Sequence, residues 1–372
     1  MHKSDNLMAE SIHKTLSYLK PVDKDFFKTL KERVDAYFIQ NKIEKSGDWR
    51  MKLKTVAMLT MYFVPYFLIV TDHHYNIGVY FLLWVIMGFG MAGIGLSVMH
   101  DAIHGAYSSN KTLNKVVGEV INLIGGYSIN WKIQHNVLHH AFTNVHGVDE
   151  DIDAGKLLRF SPHAERFSFH RFQHVYAWFL YGLMTLFWAT GKDFTQLKRY
   201  YNMGLVKTKV LYRKKVALLI LVKSLYYIYV IGIPLVFSSL PWYFTILGFL
   251  SMHFTAGLIL SSIFQPAHVM ETSDFPNPGK NGTIENTWAM NQLQNTCNFA
   301  PKSRLFSWYV GGLNFQIEHH LFPNICHIHY KKLSAIVQQV TAEFQLPYYV
   351  LPTFAKALVD HGVMLKKLGQ TN

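Results

Sequence analysis

Apolar residues run almost unbroken from Leu53 to Val70 and again from Gly78 to Met99, and only the short segment Thr71 to Ile77 separates them. At about 1.5 Å of rise per residue, each run reaches across a hydrocarbon core about 30 Å thick, so the pair predicts a transmembrane hairpin. The pattern recurs much later, from Val216 to Phe237 and, after the turn Ser238 to Pro241, from Trp242 to Phe264. A further apolar stretch, Tyr176 to Ala189, is short for a span. Were it to cross, the chain after Phe264 would emerge on the side opposite His100, so a helix lying in the membrane interface is expected. Ahead of the first hairpin, Phe27, Leu30, Val34, Tyr37 and Phe38 recur at helical spacing within Pro21 to Gln40. They predict an amphipathic helix packed on the body of the protein. Leu333, Ile336, Val337, Val340 and Phe344 predict another near the end of the chain.

The predicted fold is an all-α integral membrane protein: two transmembrane hairpins beneath a cytosolic helical domain. Residues 1–50 form an amphipathic N-terminal region, 51–344 the membrane and catalytic domain with spans near 53–70, 78–99, 216–237 and 242–264, and 345–372 a C-terminal tail. The composition agrees, with 50% hydrophobic and only 16% charged residues. Neither hairpin turn contains Lys or Arg. Lys42, Lys45, Arg50, Lys52 and Lys54 precede the first hairpin, and Lys207, Lys209, Arg213, Lys214 and Lys215 precede the second. The positive-inside rule therefore places both termini, and everything between the hairpins, in the cytosol. A net charge of +13 raises the question of nucleic acid, but no basic patch interleaved with aromatics and no nucleic-acid motif is found, and a basic cytosolic face accounts for the charge. Cys297 and Cys326 make no disulfide framework, which suits a reducing compartment. Residues 1–20 lack the apolar core of a signal peptide, so the first span is expected to direct targeting.

Two polar residues interrupt the second hairpin. Lys223 lies close enough to the cytosolic end to snorkel or face the bundle, and His253 lies about 22 Å deeper than His268 on a straight helix. His253 is thus too far away to share a metal with His268 and is expected to be a hydrogen-bonded residue inside the bundle.

The chemistry is carried by histidine. His100 and His104 follow the second span. His135, His139 and His140 form an H-x-x-x-H-H run, His268 follows the fourth span, and His319 and His320 form a late pair. The second and fourth spans end on the same face, so His100 and His268 are level, and the cytosolic segments need only fold down to add the other imidazoles. If the central run is α-helical, His135 and His139 face the same way, and His140, turned by about 100° from His139, suits a second metal. Imidazole suits iron, copper, nickel and zinc, so ligand type alone does not choose the metal. Asp101, Asp149, Glu150, Asp151, Asp153 and Glu318 are candidates to hold the distal ring nitrogens. His327 and His329 lie near the late pair and are candidates to orient it, whereas His2, His13, His73, His74, His146, His163, His170, His174 and His361 lack the pattern.

At these residues the chain resembles the membrane-bound fatty acyl desaturases, from about Met51 to Phe344. His100-Asp-Ala-Ile-His104, Gln134-His-Asn-Val-Leu-His-His140 and Gln316-Ile-Glu-His-His320 are similar to that family's three histidine boxes, and His268 in Gln-Pro-Ala-His to its additional ligand. The resemblance implies two iron ions, O2 as co-substrate and the removal of two hydrogens from a long acyl chain linked to CoA, a carrier protein or a lipid. Gln316, where many members have histidine, is similar to the front-end subgroup, which inserts a double bond between an existing one and the carboxyl end (Δ5 or Δ6 type). Its amide is expected to face the iron that His320 binds. No His-Pro-Gly-Gly motif of a fused haem domain is present, so electrons are expected from a separate ferredoxin or free cytochrome, and the setting expected is a bacterial plasma membrane. A membrane hydroxylase shares the boxes and differs only in product. A metal transporter would want its ligands within the bilayer on a pathway.

Overall fold

The computed structural model describes residues 16–18, 24–71, 76–279 and 281–371. Pro21, the turn residues 72–75, and His2, His13, His73 and His74 lie outside them. Among the described residues, four helices are long and apolar enough to cross a membrane. After α1 (Lys24–Asn41) come α2 (Trp49–Thr71) and α3 (Ile77–Ile103), then α4 (Gln173–Gly182), and then α5 (Lys209–Phe237) and α6 (Trp242–His268). Beyond them lie α7 (Trp288–Gln294), α8 (Gln316–Leu321), α9 (Tyr330–Glu343) and α10 (Phe354–Gln370). Among the described residues the strands are confined to two parallel two-residue pairs, Ser17–Tyr18 with Thr283–Ile284 and Asn298–Phe299 with Val350–Leu351.

The span helices outrun their apolar sequence. Asn76 caps α3 by accepting from the Val79 amide at 2.9 Å, and the helix then continues past Met99 through a π turn, Gly95–Met99, into His100–Ile103. α6 likewise runs unbroken through Pro266 to His268. His100 and His268 thus ride on the last turns of the second and fourth span helices and do not follow them in loops. Backbone hydrogen bonding carries helix geometry beyond the point where hydropathy falls.

Close backbone packing fixes how the spans meet. A Cβ on Gly90 would lie 2.6 Å from the Tyr62 nitrogen of α2, and one on Gly88 would lie 2.7 Å from the Met252 oxygen of α6. Hydroxyl pairs add further ties, Tyr80 of α3 to Thr245 of α6 at 2.9 Å and Tyr62 of α2 to Tyr229 of α5 at 2.7 Å. Lys223 faces the bundle, donating to Asp193 Oδ2 at 2.6 Å and to the carbonyls of Gly125 and Trp188. His253 is fully buried between Tyr226 and Thr185, 2.7 and 3.0 Å away.

The stretch Tyr176 to Ala189 is not among the helices long and apolar enough to cross, and it packs into the bundle. α4 and the short helix Met184–Phe187 pack along α6, with Gly182 so close that a Cβ on Gly257 would lie 2.6 Å from its carbonyl oxygen. α1 packs as expected: Phe26, Leu30, Val34 and Phe38 are buried with Leu333, Val337 and Val340 of α9. The expected tail instead holds α10, which buries Ala357, His361, Leu365 and Leu368. His361 Nδ1 donates to the Val269 carbonyl at 2.8 Å, and Arg159 donates to the carbonyls of Leu368 and Thr371, capping the helix end.

Candidate metal centre

Every histidine singled out from the sequence converges on one buried place. His100, His135, His139, His140, His268, His319 and His320 are buried and His104 is nearly so. α3 brings His100 and His104, α6 brings His268 and α8 brings His319 and His320. A tight turn at Gly311 and Gly312, both at positive φ, lets the chain before α8 lie on the end of α3: a Cβ on Gly311 would sit 2.5 Å from the Leu96 oxygen.

The imidazole nitrogens fall into groups. His100, His104, His135 and His319 place ligand atoms within 4.8 Å of one another, as do His139, His268 and His320, and as do His140, His319 and His320. His135 and His139 do lie together, with Asp151, as an α-helical spacing expects, but each has different imidazole neighbours in the groups above. The physical reason is that Lys132–His139 is a π-helix, in which the His140 amide bonds back five residues to the His135 carbonyl at 3.0 Å. The wider turn swings His140 round to His135, their Nε2 atoms 3.2 Å apart, and leaves His139 to join His268 and His320. His100 Nε2 is 2.9 Å from His135 Nε2. Two nitrogens bound to one ion at about 2.0–2.1 Å stand about 3.0–3.4 Å apart, so these spacings are those of neighbouring ligands.

At His268, His319 and His320 the outer nitrogen is held and the inner one is not, whereas the outer Nδ1 atoms of His100 and His140 are buried without a partner. His139 Nδ1 donates to Asp149 Oδ2 at 2.9 Å, His268 Nδ1 to the Asn295 carbonyl at 2.9 Å, and His320 Nδ1 to Gln292 Oε1 at 2.8 Å. His319 Nδ1 pairs with the Tyr330 hydroxyl at 3.2 Å. The Nε2 atoms of His104, His268, His319 and His320 are buried without a hydrogen-bond partner. A buried polar nitrogen without a partner is costly, and a tautomer fixed by its outer N–H is what a metal ligand requires. The set therefore fits metal ions. Burial first, and then the neighbouring imidazoles, hold His104, His135, His140, His319 and His320 well below the usual histidine range, so they stay neutral with lone pairs free. His139 is the exception: burial works to lower its pKa, and the carboxylates of Asp149 and Asp151 outweigh this and lift it to about 9.

The expected carboxylate partners sort unevenly. Asp149 holds His139 while accepting from the Asn144 amide, and Asp151 lies 3.3 Å from the same ring nitrogen. Asp101 stands 3.9 Å from His100 Nδ1, and its hydrogen bonds go to His327, whose Nε2 meets the buried Lys54 ammonium at 2.6 Å. His327 thus supports the first box, not the third. Glu150, Asp153 and Glu318 bond to no histidine. Glu150 accepts from Gln196 and Tyr200, Asp153 pairs with Arg199, and Glu318 accepts from Tyr348 and Asn298. His329 packs against Phe38 away from the centre. The sequence reading missed Gln292, Asn295 and Tyr330. The signal for the first two was Thr287, whose hydroxyl accepts from the Met290 amide and starts α7 within a stretch that otherwise reads as loop. Gln316 Nε2 donates to the Leu313 carbonyl at 2.8 Å, which leaves its Oε1 buried, without a partner and facing His268.

An apolar slit opens beneath the histidines. Met91, Met99, Trp188 and Leu260 line it with Trp131, whose ring lies 4.2 Å from that of His135, and Phe264, 6.4 Å from His100. Thr185 also lines it and is bonded to the buried His253.

The profile of the fatty acid desaturase family matches residues 76–352. The chain is 34% identical over 354 residues to the sn-1 linoleoyl-lipid 6-desaturase of Synechocystis sp., covering 94% of this chain and 97% of that one. It is 35% identical to the sn-1 linoleoyl-lipid 6-desaturase of Arthrospira platensis over 92% of both chains. It is also 34% identical to the acyl-lipid (8-3)-desaturase of Physcomitrium patens, covering 96% of this chain and 74% of that one. The chain belongs to the fatty acid desaturase family and is a membrane fatty acyl desaturase, an oxidoreductase.

Proposed function

We propose that the eight histidines hold two iron ions and that the protein inserts a cis double bond into a lipid-linked acyl chain, on the carboxyl side of an existing double bond. The observation that carries this reading is the set of inward, unpartnered imidazole nitrogens above an apolar slit. Bound iron would supply, with O2, two electrons and two protons, the power to remove two hydrogens from adjacent methylenes, with O2 leaving as two waters. The chain's own residues do the rest. His100, His104 and His135 with His319 would hold one ion, and His139, His268 and His320 the other, with His140 between them. Asp149, Asn295 and Gln292 keep the ring N–H groups turned outward. Trp131, Phe264 and Met99 exclude water and align methylenes beside the centre. Gln316 turns its carbonyl oxygen towards the group that includes His320, suited to accept a hydrogen bond from a water there.

The front-end position draws support from Gln316 and from the names of the relatives, two of which act on linoleoyl lipids at position 6. The basic residues flanking the hairpins support termini and centre in the cytosol, and the relatives from Synechocystis sp. and Arthrospira platensis support a bacterial plasma membrane. The same face suits an acidic ferredoxin or free cytochrome, whose electron transfer would slow as ionic strength rises. Expression in a host fed linoleate, with double bonds located by mass spectrometry, tests the reading. A new cis bond between the existing one and the carboxyl end is expected, and a hydroxylated product or an unchanged acyl profile would refute it.

A further inference from the structure

We infer that a groove on the lipid-facing side of the protein takes the acyl chain of a membrane lipid and delivers it sideways to the slit below the histidines. The groove, about 520 Å³, lies between α3, α6 and the segment around Met184–Phe187, and Val85, Leu183, Leu186, Leu250 and Phe254 line it. Its polar side chains are turned away: Ser251 donates to the Gly248 carbonyl at 2.7 Å and Thr255 to the Ser251 carbonyl at 2.9 Å. Val85 is eight residues into α3, and Leu250 and Phe254 are eight and twelve residues into α6. At the helical rise these residues lie about 12–18 Å from the far ends of the spans, the middle of a hydrocarbon core. A thioester approaching through water does not present its chain at that depth. The tails of bilayer lipids are already there.

The groove and the slit are one residue pair apart. Thr185 lines the slit and His253 lines the groove. They are bonded to each other, Thr185 Oγ1 to the His253 carbonyl at 2.8 Å and His253 Nδ1 to Thr185 Oγ1 at 3.0 Å, while Tyr226 holds the other ring nitrogen. The slit itself measures about 30 Å³, room for about two waters and not for an acyl chain, so the wall must give way for substrate to enter. Thr185 sits on a four-residue helix between a break at Leu183 and the π turn Trp188–Lys192, and the opening is placed there.

This inference rests on the proposed activity, and the experiment separates the two. The iron-loaded protein is placed in nanodiscs of phosphatidylglycerol carrying a mid-chain diazirine, irradiated, and the adducts are mapped by mass spectrometry, which requires no turnover. Adducts should concentrate at 182–187 and 250–255 over Leu221 and Leu225, which are exposed on α5. Ser251→Trp, and independently Leu186→Trp on the facing wall, should lower labelling of the Trp131 peptide at least about tenfold, the effect of keeping about two methylenes from burial. Leu221→Trp should not. Groove labelling no greater than at Leu221 and Leu225, or slit labelling unchanged in both groove variants, would overturn the inference even in a protein that desaturates. The predicted labelling in a protein that leaves fed acyl chains unaltered would uphold the groove and remove the activity.

Discussion

Gln316 holds a position at which an imidazole would be a far stronger ligand, and its hydrogen bond to the Leu313 carbonyl uses its N–H and not its oxygen. The free carbonyl oxygen faces His268, and under the proposed function it would accept a hydrogen bond at the centre or bind weakly there. Gln316→His is expected to keep both irons and lose most turnover, whereas Gln316→Ala at the parent rate would show that the amide has no part in the chemistry. Two residues on, Glu318 is buried with hydrogen bonds from Tyr348 at 2.7 Å and Asn298 at 2.8 Å. Burial pushes its pKa from 4.5 up to about 7, with those hydrogen bonds opposing. The folded state then binds the proton more tightly than the unfolded chain. This contribution is fully present below about pH 4.5 and is lost as pH rises through about 7, a swing of about 3 kcal/mol. Glu318→Gln stays neutral throughout, so its melting temperature should gain on the parent between about pH 5 and pH 8. A constant difference across that range would contradict this.

Buried charge decides how the elements hold together. Lys223 on α5 and Asp193 are almost wholly buried and bonded at 2.6 Å, and they join the second hairpin to the segment that carries Thr185. Lys223→Met leaves a carboxylate buried without its cation and is expected to cost about 3–5 kcal/mol in unfolding experiments, most of it regained in Lys223→Met with Asp193→Asn. An equal loss in both variants would count against this. The four spans were legible because a bilayer demands long apolar runs, and the clusters because spans of known direction bring His100 and His268 level. Their ends were not legible, since Asp101 and His104 lower the hydropathy while the helix continues. The π turns were invisible for a related reason: they change backbone hydrogen bonding at Lys132–His139 without changing which residues are apolar. Hence the sequence led to the histidines that converge but not to the way their nitrogens are grouped. α10 went unread because its buried positions, Ala357, His361, Leu365 and Leu368, include a small and a polar residue and so make a weak apolar stripe.

Across the whole molecule, imidazoles from residues 100 to 320 meet because both hairpins deliver a helix end to one level and the segments between them close over it. No single element holds a complete site: α3, the π-helix and α8 contribute to one group, and the π-helix, α6 and α8 to another. The centre therefore depends on the packing of the whole membrane domain, and losing one imidazole should impair an ion that the others cannot retain alone. Iron per chain in purified, active protein is the most direct test, measured alongside turnover in Ala variants of His100, His104, His135, His139, His140, His268, His319 and His320. Two irons per chain in the parent and background turnover in each variant are expected. Full activity with one iron or none, or near-parent activity in two of the variants at normal protein levels, would contradict the assignment.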